Sequence, residues 1–182
     1  MNFVFQSTFY YNLRIKICDV LNKYSVNIYT SLFKQKEKEW DININKLQAF
    51  KPNSIGYKLF LFLRQEQFEI MPKHESHDVF HILGNYGTSK EEEIALQFFL
   101  FGNGKKSIYL FLSLIIGIVL FPEYVKMFKR AYHRGQQALP FYEIDFEKLL
   151  HYPIQNIQKL FMIYSRTQTK SHFYKRNKYE MA

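Results

Sequence analysis

Residues 77–93 read HDVFHILGNYGTSKEEE, and this stretch predicts two helices joined by a turn that contains two glycines. On a helix, side chains four residues apart share one face, so His77 and His81 present two imidazoles to the same point. A second helix that folds back across the turn brings Glu93 beside them. The stretch therefore predicts a helix-turn-helix metal site.

The chemistry of this set suits a divalent ion. His77 and His81 have the spacing of His-Glu-x-x-His in zinc proteases, where the Glu is the general base. Asp78 holds that place here, and because it is one methylene shorter a protease is disfavoured, although Asp78 can still reach the ion as a ligand. Two imidazoles with one or two carboxylates suit zinc, iron or another borderline ion, and an incomplete set leaves room for water or substrate. The alternative is an ordinary surface or core pair, which is the commoner meaning of this spacing alone.

The bulk composition predicts one all-α domain over residues 1–182. The chain is long enough for a sizeable core, and its 19% aromatic share indicates that large rings are buried, line a wide apolar pocket, or both. Helical periodicity dominates and no strong β pattern is present. Cys18 is the single cysteine. It cannot form an internal disulfide, which fits a buried thiol in a reducing compartment.

The formal net charge of +9 favours an anionic partner such as nucleic acid, anionic lipid or an acidic substrate. The tail from residue 163 is basic, and with Phe173, Tyr174 and Tyr179 it resembles a single-strand stacking arm. No nucleic-acid motif accompanies it. A solvated or membrane-grazing tail is therefore the favoured interpretation, and we expect no nucleic-acid partner.

The longest apolar run, Ile108 to Phe121, has 14 residues. A membrane-spanning helix needs about 20, so the run predicts a buried or membrane-facing helix. Pro122 interrupts it and can begin a new helix. We expect one face of that helix to be apolar (Tyr124, Met127, Phe128, Ala131), with basic residues around the rest (Lys126, Lys129, Arg130, His133, Arg134).

Polar residues mark several predicted helix starts. Ser54 follows a Pro-Asn break and can cap a helix through Leu63, and Ser76 is a plausible N-cap for the first helix of the hairpin. The second helix can open with a capping box, either Thr88 with Glu91 or Ser89 with Glu92. Glu91 and Glu92 then act as helix N-terminal charges. The remaining histidines are interpreted as non-ligands: His74, His133, His151 and His172.

The hairpin resembles the His-Asp-x-x-His, eleven residues, Glu signature of the coenzyme Q (ubiquinone) biosynthesis protein 4 family. Both flanks agree in order and spacing. SIGYKLFLFL from Ser54 is similar to the segment before the motif, and AYHRGQQALPFYEIDFEKLLHYPIQNIQKLF from Ala131 is similar to the family's C-terminal block. The resemblance covers about residues 50–162, and residues 163–182 form the basic tail.

The resemblance implies an all-helical, dimer-forming bundle with a hydrophobic site for a polyprenyl chain. It implies a metal ion, zinc or iron, held by His77, Asp78, His81 and Glu93, with Asp78 and Glu93 as catalytic carboxylates. The implied reaction replaces the C1 carboxyl of a polyprenylated hydroxybenzoate with hydroxyl, which makes the protein a metal-dependent, oxidative decarboxylase or lyase of ubiquinone biosynthesis.

The implied partners are a polyprenylated quinone precursor, a membrane surface, other quinone biosynthesis enzymes and a second copy of the chain. A peripheral location on the inner face of a bacterial membrane is expected, or on the matrix side of the mitochondrial inner membrane in a eukaryote. The alternative function is a non-catalytic prenyl-lipid-binding scaffold that organises the biosynthetic complex. An ion with open coordination positions favours the enzyme, whereas a fully coordinated structural ion favours the scaffold.

Overall fold

The computed structural model describes residues 10–20 and 39–166, and these residues are all-α, as the sequence predicts. Eight helices and no β-strand occur within them. The helices are α1 (residues 10–20), α2 (Ile44–Gln48), α3 (Ile55–Glu66), α4 (Glu75–Gly84), α5 (Lys90–Gly102), α6 (Ile108–Leu120), α7 (Val125–Gln137) and α8 (Ile154–Leu160). Two 3₁₀ turns, Pro122–Tyr124 and Phe146–Leu149, complete the set.

The most extensive helix contact joins α5 and α7. It depends on two glycines, because an added Cβ at Gly102 would lie 2.0 Å from the carbonyl oxygen of Tyr132, and one at Gly135 would lie 2.0 Å from that of Phe99. The two backbones therefore touch directly. This contact fixes the position of α5, the helix that carries Glu93.

The core is rich in aromatic rings, as the composition predicts. Phe99 packs against Phe141 with ring centroids 5.5 Å apart, and Phe98 stacks on Phe128 at 5.1 Å. Burying one such side chain contributes about 1.5–3 kcal/mol. The largest rings with almost no exposure are Phe99, Phe121, Phe128, Phe141 and Phe146.

The predicted helix start at Ser54 agrees with the structure, because its hydroxyl oxygen accepts from the backbone N–H of Tyr57. Ser107 caps α6 in the same way, through the N–H of Leu110. Pro122 also lies at the first position of a 3₁₀ turn, in line with its predicted role.

The predicted cap at Ser76 is wrong. Helix α4 begins earlier, at Glu75, and His74 occupies the N-cap without a side-chain hydrogen bond. Glu75 is buried and its carboxylate accepts from the backbone N–H of Trp40 at 3.2 Å. A contact between residues distant in sequence therefore places the first turn of α4.

Neither predicted capping box forms. Ser89 is the N-cap of α5, but its side chain makes no capping hydrogen bond. The hydroxyl of Thr88 donates instead to Glu66, and Glu92 forms an ion pair with Arg166 at 2.7 Å. Thr88 and Glu92 therefore pair with residues from other segments, and not with the backbone of the first turn of α5.

Helix α6 has one buried edge and a broad exposed apolar face. Leu110, Leu114 and Gly117 are buried. No single helix in residues 10–20 and 39–166 is long and apolar enough to cross a membrane, although α6 and the segment Pro122–Gln137, bent by 102°, pass that test together. The exposed apolar side chains are Ile108, Phe111, Leu112, Ile115, Ile118 and Val119.

Helix α7 follows the predicted pattern with one correction. Phe128 and Ala131 are buried, and Lys126, Lys129 and Arg130 are exposed. Arg134, predicted on the basic surface, is 4% exposed. It lies three residues after Ala131, on the apolar face, where its guanidinium reaches backbone carbonyls of other segments.

The predicted basic tail falls outside the described residues beyond Arg166. Cys18 is described, and its thiol is buried and forms no disulfide, as predicted.

Candidate metal centre

Helices α4 and α5 form a hairpin that returns Glu93 to the histidine pair. Helix α4 ends at Gly84, and Asn85 takes the left-handed conformation that often ends a helix (φ 54°). The end of α4 is held by Arg134, whose Nη1 donates to the carbonyl oxygen of Gly84 at 2.6 Å. The backbone therefore reverses within five residues, as the two-glycine turn predicts.

Three side chains converge on one point: His77, His81 and Glu93. The two Nε2 atoms lie 3.2 Å apart, and the carboxylate oxygens of Glu93 lie 3.4 Å from Nε2 of His77 and 3.1 Å from Nε2 of His81. Tetrahedral coordination at about 2.0–2.1 Å places ligand atoms about 3.3 Å apart. The donor spacing therefore fits a single metal ion.

The ring of His81 is oriented by its surroundings. Its Nδ1 lies 3.2 Å from the carbonyl oxygen of Tyr86, and the ring stacks on Phe62 with centroids 5.3 Å apart. A carbonyl only accepts, so Nδ1 carries a proton, and Nε2 is the nitrogen that faces Glu93. Metal-binding histidines commonly donate their other N–H in this way. The side chain of His81 is only 2% exposed, so this orientation is fixed.

The charges of the cluster favour an anionic Glu93. Burial raises the pKa of Glu93, but hydrogen bonds from His77 and His81, together with their charges, outweigh it and lower the pKa to about 2. Burial lowers the pKa of His81, but the hydrogen bond and the charge of Glu93 raise it above its ordinary value. A carboxylate and two imidazoles held together in this way form a ready donor set for a cation.

Asp78 lies close to this cluster but outside the converging group. Burial raises the pKa of its carboxyl to about 6, against the opposing charges of His77 and His81. Its assignment as a fourth ligand and as a catalytic carboxylate stays a prediction.

The other histidines and acids interpreted as non-ligands lie away from the three donor atoms in the described residues. His133 contacts the amide oxygen of Gln136 at 3.0 Å, and His151 packs on Tyr152. Glu91 faces Tyr11, with 3.5 Å between their oxygens. His74 lies in a cavity wall, and His172 falls outside the described residues.

Sequence reasoning did not find the groups that position the site. The carbonyl of Tyr86, the ring of Phe62 and the guanidinium of Arg134 all act on α4. A backbone carbonyl leaves no signal in a sequence. The other two contacts join residues that are far apart in sequence: Phe62 with His81, and Arg134 with Gly84.

Two cavities flank the histidine pair. One, of about 800 Å³, is lined by His81 together with Phe62, Tyr86 and Arg134. The other, of about 860 Å³, has His77 in its wall. Both volumes fall in the range of about 300–1,000 Å³ that small-molecule sites occupy. Each cavity therefore has one histidine of the pair in its wall.

Comparisons with known proteins give a family and a shared fold for this chain. The family model described as "Coenzyme Q (ubiquinone) biosynthesis protein Coq4" matches residues 70–166, which include the whole cluster. No match was found among curated proteins. A crystal structure from Nostoc punctiforme PCC 73102, described as a "Putative ubiquinone biosynthesis protein", superposes with a TM-score of 0.57 at 17% identity, covering 86% of this chain and 82% of that one. At this identity the likeness shows a shared fold.

Proposed function

Because the chain belongs to the Coenzyme Q (ubiquinone) biosynthesis protein Coq4 family, we propose that it is a metal-dependent enzyme that acts on the ring of a polyprenylated hydroxybenzoate. The C1 carboxyl is replaced by hydroxyl and carbon dioxide is released. This net change is a two-electron oxidation. We assign dioxygen as the oxidant and water as the source of the hydroxyl oxygen, so that the products are the phenol, carbon dioxide and hydrogen peroxide. The observation that carries the proposal is the convergence of His77, His81 and Glu93 between two cavities.

Three protein ligands are fewer than the four positions of a tetrahedral site, and this is the pattern of catalytic rather than structural ions. A divalent ion at these residues, zinc or iron, would supply Lewis acidity for charge that develops on a ring oxygen. Glu93 contributes a negative charge, and the Tyr86 carbonyl keeps Nε2 of His81 turned toward the site. Asp78, beside His77 in the sequence, is proposed as the second carboxylate of the reaction.

The exposed apolar face of α6 supports a peripheral location on a membrane. A contiguous apolar surface on a soluble domain commonly marks an interaction site. Helix α7 follows at a sharp bend and exposes Lys126, Lys129 and Arg130. Apolar side chains next to cations suit a bilayer with anionic lipid. We propose that this surface brings the ring of a membrane-held precursor to the cavities, and that a second copy of the chain and other enzymes of the pathway bind nearby.

The same surface favours a second candidate function, a prenyl-lipid-binding scaffold without catalysis. Lipid binding on α6 requires no ion with open positions. The two functions differ in what they require of Glu93. A scaffold needs the fold and the lipid-binding surface, whereas the enzyme also needs the negative charge of the Glu93 carboxylate.

The test compares Glu93→Gln with Glu91→Gln as a matched control two residues earlier on α5. Protein loaded with iron(II) or zinc is supplied with carboxylated, prenylated hydroxybenzoate, and the C1-hydroxylated product is measured by mass spectrometry. We expect Glu93→Gln to lose at least about 100-fold in turnover, as loss of an electrostatic group at a reacting centre does, and Glu91→Gln to retain it. Normal quinone levels in a deletion strain that carries a folded, metal-free Glu93→Gln variant would refute catalysis and favour the scaffold.

A further inference from the structure

Gln97 is a buried amide on the helix that carries Glu93. It lies four residues after Glu93 on α5, so both side chains share one face of the helix. Its exposure is 6%. Across residues 10–20 and 39–166, no group pairs with its side-chain amide.

Gln97 is buried as a residue, yet its amide is not sealed from solvent and no described group uses its hydrogen bonds, so the amide is open to a ligand. The amide of Gln97 offers one acceptor oxygen and two N–H donors. A complementary group can donate to the oxygen, accept from the N–H groups, or do both. A hydroxyl does both.

Gln97 lines the 860 Å³ cavity that also has His77 in its wall. Gln97 and His77, one residue of the candidate metal centre, therefore border the same space, and its volume admits a ring-sized ligand. The walls suit an aromatic ring, because flat side chains pack well on one another. Four aromatic residues line the cavity: Trp40, Phe80, Tyr109 and Tyr142.

The charges of this cavity do not select a strongly anionic ligand. Lys148 is paired with Asp145 at 2.8 Å, and Glu147 accepts from the backbone N–H of Asp41. Lys105 packs over the ring of Phe80, with Nζ 5.5 Å from its centroid. Acids and lysines thus alternate around the opening, and a neutral hydroxyl on a ring is the better complement to the amide than a second carboxylate.

We propose that Gln97 is a specificity-determining residue that hydrogen-bonds a phenolic hydroxyl of the substrate ring in this cavity. The inference rests on the proposed function, since it names the ring substituent, a phenolic hydroxyl, that the site would recognise on its aromatic substrate. One face of α5 would then carry two functions: Glu93 would coordinate the ion, and Gln97, one turn later, would hydrogen-bond the substrate ring.

The test uses Trp40, the single tryptophan of the chain, which lines the cavity. Zinc-loaded protein is titrated with 4-hydroxybenzoate and with benzoate, which differ by one hydroxyl, and tryptophan fluorescence is checked by calorimetry. We expect the wild type to bind 4-hydroxybenzoate about 10-fold more tightly, because a hydrogen bond to a buried partner contributes about 1–1.5 kcal/mol. In Gln97→Leu the ratio should fall to about 1–2, with zinc content unchanged.

Gln137→Leu is the matched control, because Gln137 has a buried, unpaired amide oxygen and lines neither cavity. It should keep the wild-type ratio. Gln97→Met, which preserves the length of the side chain, replaces Gln97→Leu if that variant does not fold. A ratio that is equal in the wild type and the Gln97 variants, or a wild type that binds neither probe, would overturn the proposal.

The assay separates this inference from the reaction. If the C1 hydroxylation fails while the Gln97-dependent preference holds, the proposed reaction is refuted and the ring-binding role stands. If the wild type performs the reaction and Gln97→Leu discriminates as the wild type does, the role of Gln97 is refuted and the reaction stands.

Discussion

The Nδ1 atom of His81 lies 3.2 Å from the carbonyl oxygen of Tyr86, five residues further along the chain. This contact spans the end of α4 and the turn that follows it. It fixes which nitrogen of His81 faces Glu93, and the same turn returns Glu93 to the site. One short connection thus places a donor atom on each of two helices.

The first prediction concerns metal content. The wild type should purify with about one divalent ion per chain, measured by plasma emission. His77→Ala and His81→Ala should each weaken zinc affinity by more than the roughly 10–100-fold that loss of a supporting hydrogen bond costs, since each removes a ligand. His151→Ala, an exposed site on Tyr152, is the control. Equal zinc content in all of these proteins would contradict the site.

A second prediction concerns Arg134, which joins α7 to the end of α4. Its Nη1 donates to Gly84 and its Nε to the carbonyl of Tyr164 at 2.7 Å. Arg134→Leu leaves both carbonyls without their donor, and hydrogen bonds to a charged group contribute about 1.5–3 kcal/mol each. The free energy of unfolding in urea should fall by about 3 kcal/mol. Arg130→Leu, exposed one turn earlier, should change it by less than about 0.5 kcal/mol, and a similar loss in both variants would argue against the contact.

The glycines between α5 and α7 give a third prediction. Gly102→Ala and Gly135→Ala place a Cβ against backbone oxygen, and backbone cannot move as a flexible side chain does. Overpacking costs about 1–3 kcal/mol, occasionally more, so the thermal midpoint should drop by several degrees. At Gly87 an added Cβ meets only Glu92, at 3.8 Å. Gly87→Ala should therefore be nearly neutral, and a stable Gly135→Ala would show that the helices separate readily.

The fourth prediction tests the membrane surface. Changing Lys126, Lys129 and Arg130 together to Glu should weaken flotation with anionic liposomes by at least about 100-fold, since each basic residue near such a surface contributes about 1 kcal/mol. The matched control reverses three exposed lysines elsewhere: Lys46, Lys51 and Lys159. Identical flotation of both triple variants would refute a role for α7, and wild-type protein that ignores anionic liposomes at low salt would refute membrane attachment.

The local parts of the fold could be predicted from sequence. The helix starts at Ser54 and Ser107 depend on a hydroxyl and an N–H three residues away. The pairing of His77 with His81 depends on helical periodicity alone. The return of Glu93 required one tertiary assumption, that the glycine turn folds the second helix back, and the structure bears it out.

Contacts between distant residues could not be predicted in this way. Helical periodicity places Arg134 at the edge of a basic helix face. In the structure it is buried, and its guanidinium donates to the carbonyl oxygen of Gly84, 50 residues earlier. Helix α4 begins at Glu75, earlier than the predicted cap at Ser76 implies, and the carboxylate of Glu75 accepts from the backbone N–H of Trp40. The burial of Gln97 in the wall of the cavity that contains His77 also depends on segments that are distant in sequence.

The sequence by itself thus determined the helices and the donor residues of the site, because periodicity, turn chemistry and motif spacing act over a few residues. The tertiary structure decided which face of α6 stays exposed, which arginine is buried and which amide lines the cavity beside His77. Burial and hydrogen-bond partnership are properties of segments that meet in space, and no local pattern specifies which segments will meet.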